Sequence, residues 1–432
     1  MSDSFTDETQ VAIIGAGPAG LILARLLQLQ GVSSVVLERQ SGAHVEARVR
    51  AGILEQPTVD LLREIGATWR LDREAEFHRG FYVRLDQRTN HLDFHALLGR
   101  NSCVYGQAEL VKDLIADHLA ADRRLLFEVS DVALAGFDVP QGLDGLQGSD
   151  DLPGQPSVTF THDGRRQTLH CVVIAGCDGA HGVCRPAVRE AAGRAGQPIT
   201  VLERHYPAAW LGILARSTPP TPEGMYCVHP DGMSLHSMRG PRLSRQYLQV
   251  PANSVLDDWP DERIWAELTR RSLSTDHPPL ETGQILERTL VPLRATVLER
   301  FQHGRLALAG DAAHTVPPTG AKGLNLAVAD VVVLARAITA LLAGTPEPYE
   351  SYTATAWPRV WQAVAFSTAM TTMLHRLDDD PFEWELRRAR MTALLTSTDE
   401  QRAHGELYLG LPFATDWRWT GSASSSMPNV SR

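Results

Sequence analysis

The residues best placed to do chemistry in this 432-residue chain sit in residues 310–326, GDAAHTVPPTGAKGLNL. They follow the short apolar run RLALAG at residues 305–310, which reads as a buried strand, and they open the long apolar segment 327–342. The order is strand, aspartate at the strand end, a stiff Pro317-Pro318 turn, and a glycine-flanked helix start. Backbone N–H groups at a helix N-terminus are unpaired and partly positive, so such a corner can hold a group that becomes anionic. The two prolines fix the loop and remove donors, which leaves the Pro317 and Pro318 carbonyls to face a ligand. An ordinary strand–loop–helix connection has the same outline, so the corner needs support from the rest of the chain.

That support begins at Val11–Ile14, a β-rich run followed by GAGPAG at residues 15–20, an apolar-periodic helix over 21–30, and the strand Ser34–Leu37. This is a βαβ dinucleotide fingerprint. Gly15, Gly17 and Gly20 permit a tight turn and close backbone approach to a pyrophosphate, and the helix dipole favours its charge. Glu38, about twenty residues past the glycines, can accept from ribose hydroxyls. A glycine-rich structural turn would leave Glu38 without a reason. Residues 176–185, GCDGAHGVCR, repeat the strand-then-glycine arrangement at the end of the apolar strand 171–175.

The elements that must position these motifs alternate between helix and strand, an α/β pattern. The segment 81–85 alternates like a strand, residues 108–119 are an amphipathic helix, and His162-Asp163-Gly164 marks a hairpin turn. Four β-rich runs fall between 208 and 250, a helix spans 261–272, and long helices are expected over 326–342 and 349–377. Residues 138–156 read as a Gly-, Asp- and Pro-rich exposed loop. His91 and His95 in HLDFH have metal-ligand spacing only if helical; the segment reads as extended and lacks a third ligand, so no metal is expected. Composition is that of a globular protein, no apolar run reads as long enough to span a bilayer, and the polar, acidic first ten residues do not resemble a signal peptide. Five cysteines without CxxC spacing fit a reducing cytoplasm. A net charge of −10 disfavours nucleic acid. Basic clusters at Arg39, Arg48 and Arg50, and at His181 and Arg185, are candidate phosphate contacts.

GAGPAG, GCDG and GDAAHTVPPTGAKGLNLA together, with LERQ (37–40), RVRAG (48–52), VYGQ (104–107) and YLGLP (408–412), resemble the single-component flavin-dependent aromatic hydroxylases. The resemblance runs over residues 11–413. It implies a Rossmann-like FAD-binding domain (11–80, 100–190 and 285–345), an inserted β-rich substrate domain (81–99 and 191–284), a C-terminal helical region (346–416), and disordered ends at 1–10 and 417–432. It implies FAD with its pyrophosphate on Gly15, Gly17 and Gly20 and its ribose on Glu38. Arg50, Gln107 and Asp311 would also contact the FAD, and Gly320, Leu324 and Asn325 would lie against the flavin ring. Arg39, Gln40, His44, Arg48, His181, Arg185 and Arg294 match positions linked to NADPH or NADH.

Within the family the substrate positions resemble those of members that hydroxylate 4-hydroxybenzoate at the 3-position to 3,4-dihydroxybenzoate. There Arg239 pairs with the carboxylate, helped by Ser237 and Tyr247; Tyr226 bonds the phenol, Pro318 accepts from it, and Thr319 lies alongside. Tyr408 and His78 match a relay that carries the phenolic proton out. Without the resemblance, Arg239 reads as a solvent-facing strand residue, Tyr408 as packing and His78 as an exposed loop residue. The family implies oxygen addition to reduced flavin at C4a, an electrophilic hydroperoxide, a homodimer, and no membrane. His44 stands where the best-known members have tyrosine and Ala180 replaces an aromatic beside His181, so mixed NADPH and NADH use is expected. Gly224 replaces a larger apolar residue, which loosens the expected pocket. The alternatives are the same chemistry on 4-aminobenzoate or 3,4-dihydroxybenzoate, or an FAD oxidoreductase that inserts no oxygen.

Overall fold

Val11–Ile14 is four apolar residues, all buried, as a strand covered on both faces requires. The computed structural model describes residues 5–48, 52–138 and 154–421. Val11–Ile14 pairs in parallel with Ser34–Leu37 on one side and Val173–Gly176 on the other. Arg124–Leu126 and Leu306–Leu308 extend the sheet in parallel, and Gln302–His303 closes one edge antiparallel, making six strands. The helices Pro18–Leu29 and Gly323–Leu342 pack against each other in the same core. By length and composition Gly323–Leu342 could cross a membrane, contrary to the expectation that no run would. Its apolar window is 83% buried inside the protein, which is where a helix apolar on all sides belongs.

A second, eight-stranded sheet carries the β-rich middle of the chain. Val201–Arg216, Leu243–Pro251, Gly232–Gly240 and Met225–His229 pair successively antiparallel, and Gly80–Leu85 then joins Met225–His229 in parallel. Gln284–Leu298 pairs antiparallel along the whole of Val201–Arg216. Residues 285–298 therefore lie in this sheet and not, as the resemblance implied, with the FAD-binding domain; the long hydrogen-bonded register with Val201–Arg216 holds them there. The hairpin at 162–164 forms with positive φ at Asp163 and Gly164, the geometry of a two-residue turn that matches strand twist.

The C-terminal region is helical: Tyr352–Leu374, Pro381–Thr396 and Thr398–Leu409. The expected 349–377 helix is split, with Glu347–Glu350 separate and the main helix ending at Leu374. Phe5–Glu8 forms a strand beside Arg165–His170, where disorder was expected. Residues 417–421 are likewise ordered. Trp417 is buried and donates through Nε1 to Glu64 at 3.0 Å; Gln30 binds the Trp417 carbonyl at 3.0 Å and the Trp419 N–H at 2.8 Å. Arg336 lies over the Trp419 ring. This strap ties the end of the helical region to the six-stranded core. Residues 1–4, 422–432 and most of the 138–156 loop lie outside the described residues. His95 is in the short helix Phe94–Leu98 and not in an extended segment, and His91 pairs with Glu223 at 2.7 Å. Among the described residues no cluster could hold a metal.

Candidate active site

Three adjacent parallel strands end side by side, and each is followed by one of the glycine motifs: Leu306–Leu308, Val173–Gly176 and Val11–Ile14. Ligands of open α/β sheets bind outside such carboxyl ends. The turns touch. Gly15 has φ +106°, and a β-carbon there would lie 2.5 Å from the Cys177 carbonyl oxygen. A β-carbon on Gly20 would lie 2.0 Å from the Gly15 carbonyl oxygen. Gly17, at the N-cap of Pro18–Leu29, meets nothing within 4 Å. The bare backbone at a helix N-terminus thus faces an open cradle that a side chain would fill, and this fits a pyrophosphate. Glu38 follows its strand and accepts the Ala16 N–H at 2.8 Å and the Gln40 N–H at 2.9 Å, so it holds the glycine turn and keeps lone pairs for ribose. Gln107 opens the helix Gln107–Ala120. Arg50 lies outside the described residues.

The proline corner is pinned from the helix behind it. Asp330 is buried in Gly323–Leu342; its Oδ2 accepts the Gly310 N–H at 2.8 Å and lies 2.7 Å from His314 Nε2. Asp311 sits in the turn Gly310–Ala312 that this pairing fixes. The Pro318 carbonyl accepts the Ala321 N–H at 2.9 Å, which leaves it a second lone pair for a ligand. Asn325 is buried and its amide is spent on the Glu55 N–H at 2.8 Å and the Ile53 carbonyl at 2.9 Å. That side chain orients the first helical turn, and the backbone of Leu324 and Asn325 is what remains for a ring.

Lys322 was not singled out from sequence. It is buried at the start of this helix, 2.6 Å from Glu55 Oε1, with its ammonium also donating to the Leu407 and Tyr408 carbonyls. Arg359 completes the cluster at 2.7 Å from Glu55 Oε2. Burial pulls the Lys322 ammonium below its ordinary pKa, and Glu55 opposes that. The available signals were a lysine at a helix N-terminus, where the dipole disfavours cations, and one carboxylate, Asp330, inside an apolar helix.

The substrate positions share one face of the eight-stranded sheet. Tyr247 is paired with Leu235, and Leu235 with Tyr226; Ser237 and Arg239 follow Leu235 at two-residue steps, so all point the same way. Arg239 is half-buried, donates to the Met238 carbonyl at 2.7 Å and reaches Ser237 Oγ at 3.5 Å. Among the described residues it makes no ion pair. Burial lowers its pKa, the mark of a cation short of counter-charge. Tyr226 is buried and donates its hydroxyl hydrogen to the Thr319 carbonyl at 3.2 Å. Burial, with Tyr247 second, pushes its phenol well above the usual range; burial does the same to Tyr408, with Tyr226 and Glu223 behind it. Thr319 is fully buried. The Phe81 ring packs on both tyrosines, at 5.2 Å from Tyr226 and 5.0 Å from Tyr408.

His78 is buried, where it had read as exposed without the resemblance, and its Nε2 has no hydrogen-bond partner among the described residues. Glu76 is 3.6 Å away. Burial holds His78 below its ordinary pKa, so its imidazole is neutral near pH 7. No hydrogen bond joins Tyr226, Tyr408 and His78 directly. Of the nicotinamide-linked positions, His181 and Arg294 meet at 3.3 Å. Arg185 is instead spent on the carbonyls of Asp311 and Ala312, at 2.6 and 2.8 Å. Arg39 and His44 are exposed on the other loop, with Gln40 half-buried and Arg48 capping the short helix Gly42–Ala47.

The profile of a family described as FAD binding domain matches residues 8–367. The chain is 38% identical over 411 residues to the p-hydroxybenzoate hydroxylase of Acinetobacter baylyi, covering 94% of this chain and 96% of that protein. It is 27% identical to a probable NADH-specific resorcinol 4-hydroxylase of Rhodococcus jostii, over 81% of this chain and 62% of that one. Among solved structures, p-nitrophenol 4-monooxygenase from Pseudomonas putida superposes with a TM-score of 0.74 at 18% identity, covering 94% of this chain and 99% of that one.

Proposed function

The chain belongs to the FAD-dependent aromatic hydroxylases, and we propose that within them it converts 4-hydroxybenzoate to 3,4-dihydroxybenzoate with NAD(P)H and O2. FAD is the cofactor; when bound it accepts hydride from the nicotinamide and activates oxygen. Gly15, Gly17, Gly20 and Glu38 would hold its pyrophosphate and ribose end, with Arg50, Gln107 and Asp311 as further contacts. The turn at Gly320 and the backbone of Leu324 and Asn325 would carry the ring, and their helix N-terminus favours negative charge there.

The observation that carries the substrate reading is the pairing of two unlike ends on one sheet face. At one end Arg239 is a half-buried cation without an ion pair among the described residues, next to Ser237 and Tyr247. At the other, the Tyr226 phenol faces the Thr319 carbonyl. A carboxylate fits the first end and a para hydroxyl the second. A planar guanidinium suits a carboxylate bidentately. Tyr226 trades its bond to Thr319 for one that accepts the substrate hydroxyl's proton while it passes its own phenolic proton on toward Tyr408, so the ring gains electron density ortho to the oxygen. Tyr408 and neutral His78 then take the proton outward. The Phe81, Tyr226 and Tyr408 rings keep water from the reacting carbon.

A second reading is favoured by Gly224, where a β-carbon would approach nothing closer than the His236 carbonyl at 3.9 Å. That space admits an extra ring substituent, which would suit 3,4-dihydroxybenzoate; 4-aminobenzoate remains the other para-substituted candidate. Both NADPH and NADH would serve, His181 and Arg294 being contacts. We also place the enzyme in the cytoplasm as a homodimer, its five buried thiols fitting a reducing compartment. The deciding experiment measures NADPH and NADH oxidation, oxygen uptake and catechol formation with each benzoate. Equal stoichiometry with 4-hydroxybenzoate is expected; faster coupled turnover of another acid reassigns the substrate, and nicotinamide oxidation without any hydroxylated product removes the hydroxylase reading.

A further inference from the structure

The substrate sheet and the proline corner are joined a second time, behind the site, through the last turn of the helix Tyr352–Leu374. Trp210 Nε1 donates to His375 Nε2 at 2.6 Å, and His375 Nδ1 lies 3.0 Å from the Thr371 carbonyl. The indole and the carbonyl fix the tautomer: Nδ1 carries the hydrogen and Nε2 is the acceptor. His375 is fully buried, and burial pushes its pKa down to about 3, so this arrangement survives across the working pH range. Thr371 turns the other way, and its hydroxyl lies 3.0 Å from that of Thr319. Thr319 is the residue whose carbonyl receives Tyr226. On the sheet, Trp210 is two residues before Gly212, which is paired with Tyr247, and the Trp210 and Tyr247 rings are 4.8 Å apart. A β-carbon on Gly212 would come within 3.4 Å of the Tyr247 ring, so the bare backbone lets that ring lie where Trp210 holds it.

We propose that His375 and Thr371 are positioning residues for the aromatic acid, setting Tyr247 through Trp210 at the carboxylate end and Tyr226 through Thr319 at the phenol end. The proposal rests on the reading that this sheet face binds the acid. One helix turn thereby fixes the distance between Trp210 on the sheet and Thr319 in the proline corner. A histidine is used because it accepts from the indole on one nitrogen while donating to a carbonyl on the other. Without the acceptor, a buried N–H would be left unsatisfied and Trp210 would turn away.

The test titrates the FAD-loaded enzyme with 4-hydroxybenzoate by flavin absorbance, in wild type, His375→Leu, His375→Gln and Thr371→Val. His375→Leu is expected to weaken binding about tenfold, and His375→Gln, whose amide oxygen can accept the indole N–H, to restore it to within about threefold. Unchanged affinity in His375→Leu, or equal loss in both variants, overturns the proposal. If His375→Leu does not fold, Thr371→Val carries the test, with a loss of about fivefold expected and no loss overturning it. A ligand-free readout separates this from the substrate reading: Trp210 emission, isolated by subtracting Trp210→Phe, should shift in His375→Leu and return in His375→Gln. If wild type ignores 4-hydroxybenzoate, the substrate reading falls, and the same variants are compared with whichever benzoate perturbs the flavin.

Discussion

The Tyr226 hydroxyl and the Thr319 carbonyl are 3.2 Å apart, and this hydrogen bond joins the eight-stranded sheet to the proline corner. Tyr226 belongs to the strand Met225–His229 and Thr319 to the turn Pro318–Gly320. The geometry of the site is therefore a property of how sheet and corner dock, and substitutions on either side can be read against it.

Tyr226→Phe removes the hydroxyl and keeps the ring on Phe81. Flavin content and acid affinity should stay within a few-fold of wild type, while the rate of hydroxylation falls by about 100-fold or more, the range for losing a group that manages a proton. Single-turnover mixing of reduced enzyme with oxygen measures it.

Arg239→Ala should raise the dissociation constant for the acid by about 100-fold, because a partly desolvated carboxylate would lose its charged partner. Arg239→Lys should recover only part of this, since an ammonium cannot match both carboxylate oxygens. Equal affinity in the alanine variant would mean the carboxylate is held elsewhere.

Lys322→Met leaves Glu55 with Arg359 alone and strips a donor from the Leu407 and Tyr408 carbonyls. A loss of about 3–5 kcal/mol is expected from breaking a buried ion cluster on one side. Adding Glu55→Gln should cost less than the sum of the two single changes, which chemical denaturation of all three variants would reveal.

Gly17→Ala and Gly15→Ala should fail differently. The first adds a methyl where the protein has nothing within 4 Å, so the chain should fold and melt normally yet purify with little FAD. The second forces an L side chain to φ +106° against the Cys177 carbonyl, so folding itself should suffer. Comparing flavin absorbance with yield and melting temperature separates the two.

Acid should destabilise the fold early. Burial holds His118 and His236 at about 4 and His375 at about 3, against 6.5 unperturbed. Below pH 6.5 the unfolded chain binds protons that the folded one refuses, so stability falls as pH drops from 6.5 toward 4. Each histidine contributes a slope of about 1.4 kcal/mol per pH unit in that window. Melting curves should show the slope reduced in His236→Gln.

Much of this architecture was legible because its signals are local. The glycines at 15, 17 and 20 with Glu38 needed only the βαβ spacing, and strand alternation was enough to align Ser237 with Arg239. The alignment of Tyr226 and Tyr247 with them depends on pairing across strands, which the family resemblance supplied and single-strand periodicity could not. Lys322, Glu55 and Arg359 were missed because their contact joins positions hundreds of residues apart. Residues 285–298 were grouped with the FAD-binding domain by resemblance, because no local pattern names Val201–Arg216 as their partner strand.

The strap through Trp417 has a consequence for biosynthesis. Translation delivers the nucleotide-binding strands long before the segment that reaches back to Gln30 and Glu64. The strap can therefore close onto Gln30 and Glu64 only after residues 417–419 have emerged, whereas the helix bearing Tyr408 has partners of its own in Phe81, Phe94 and Lys322.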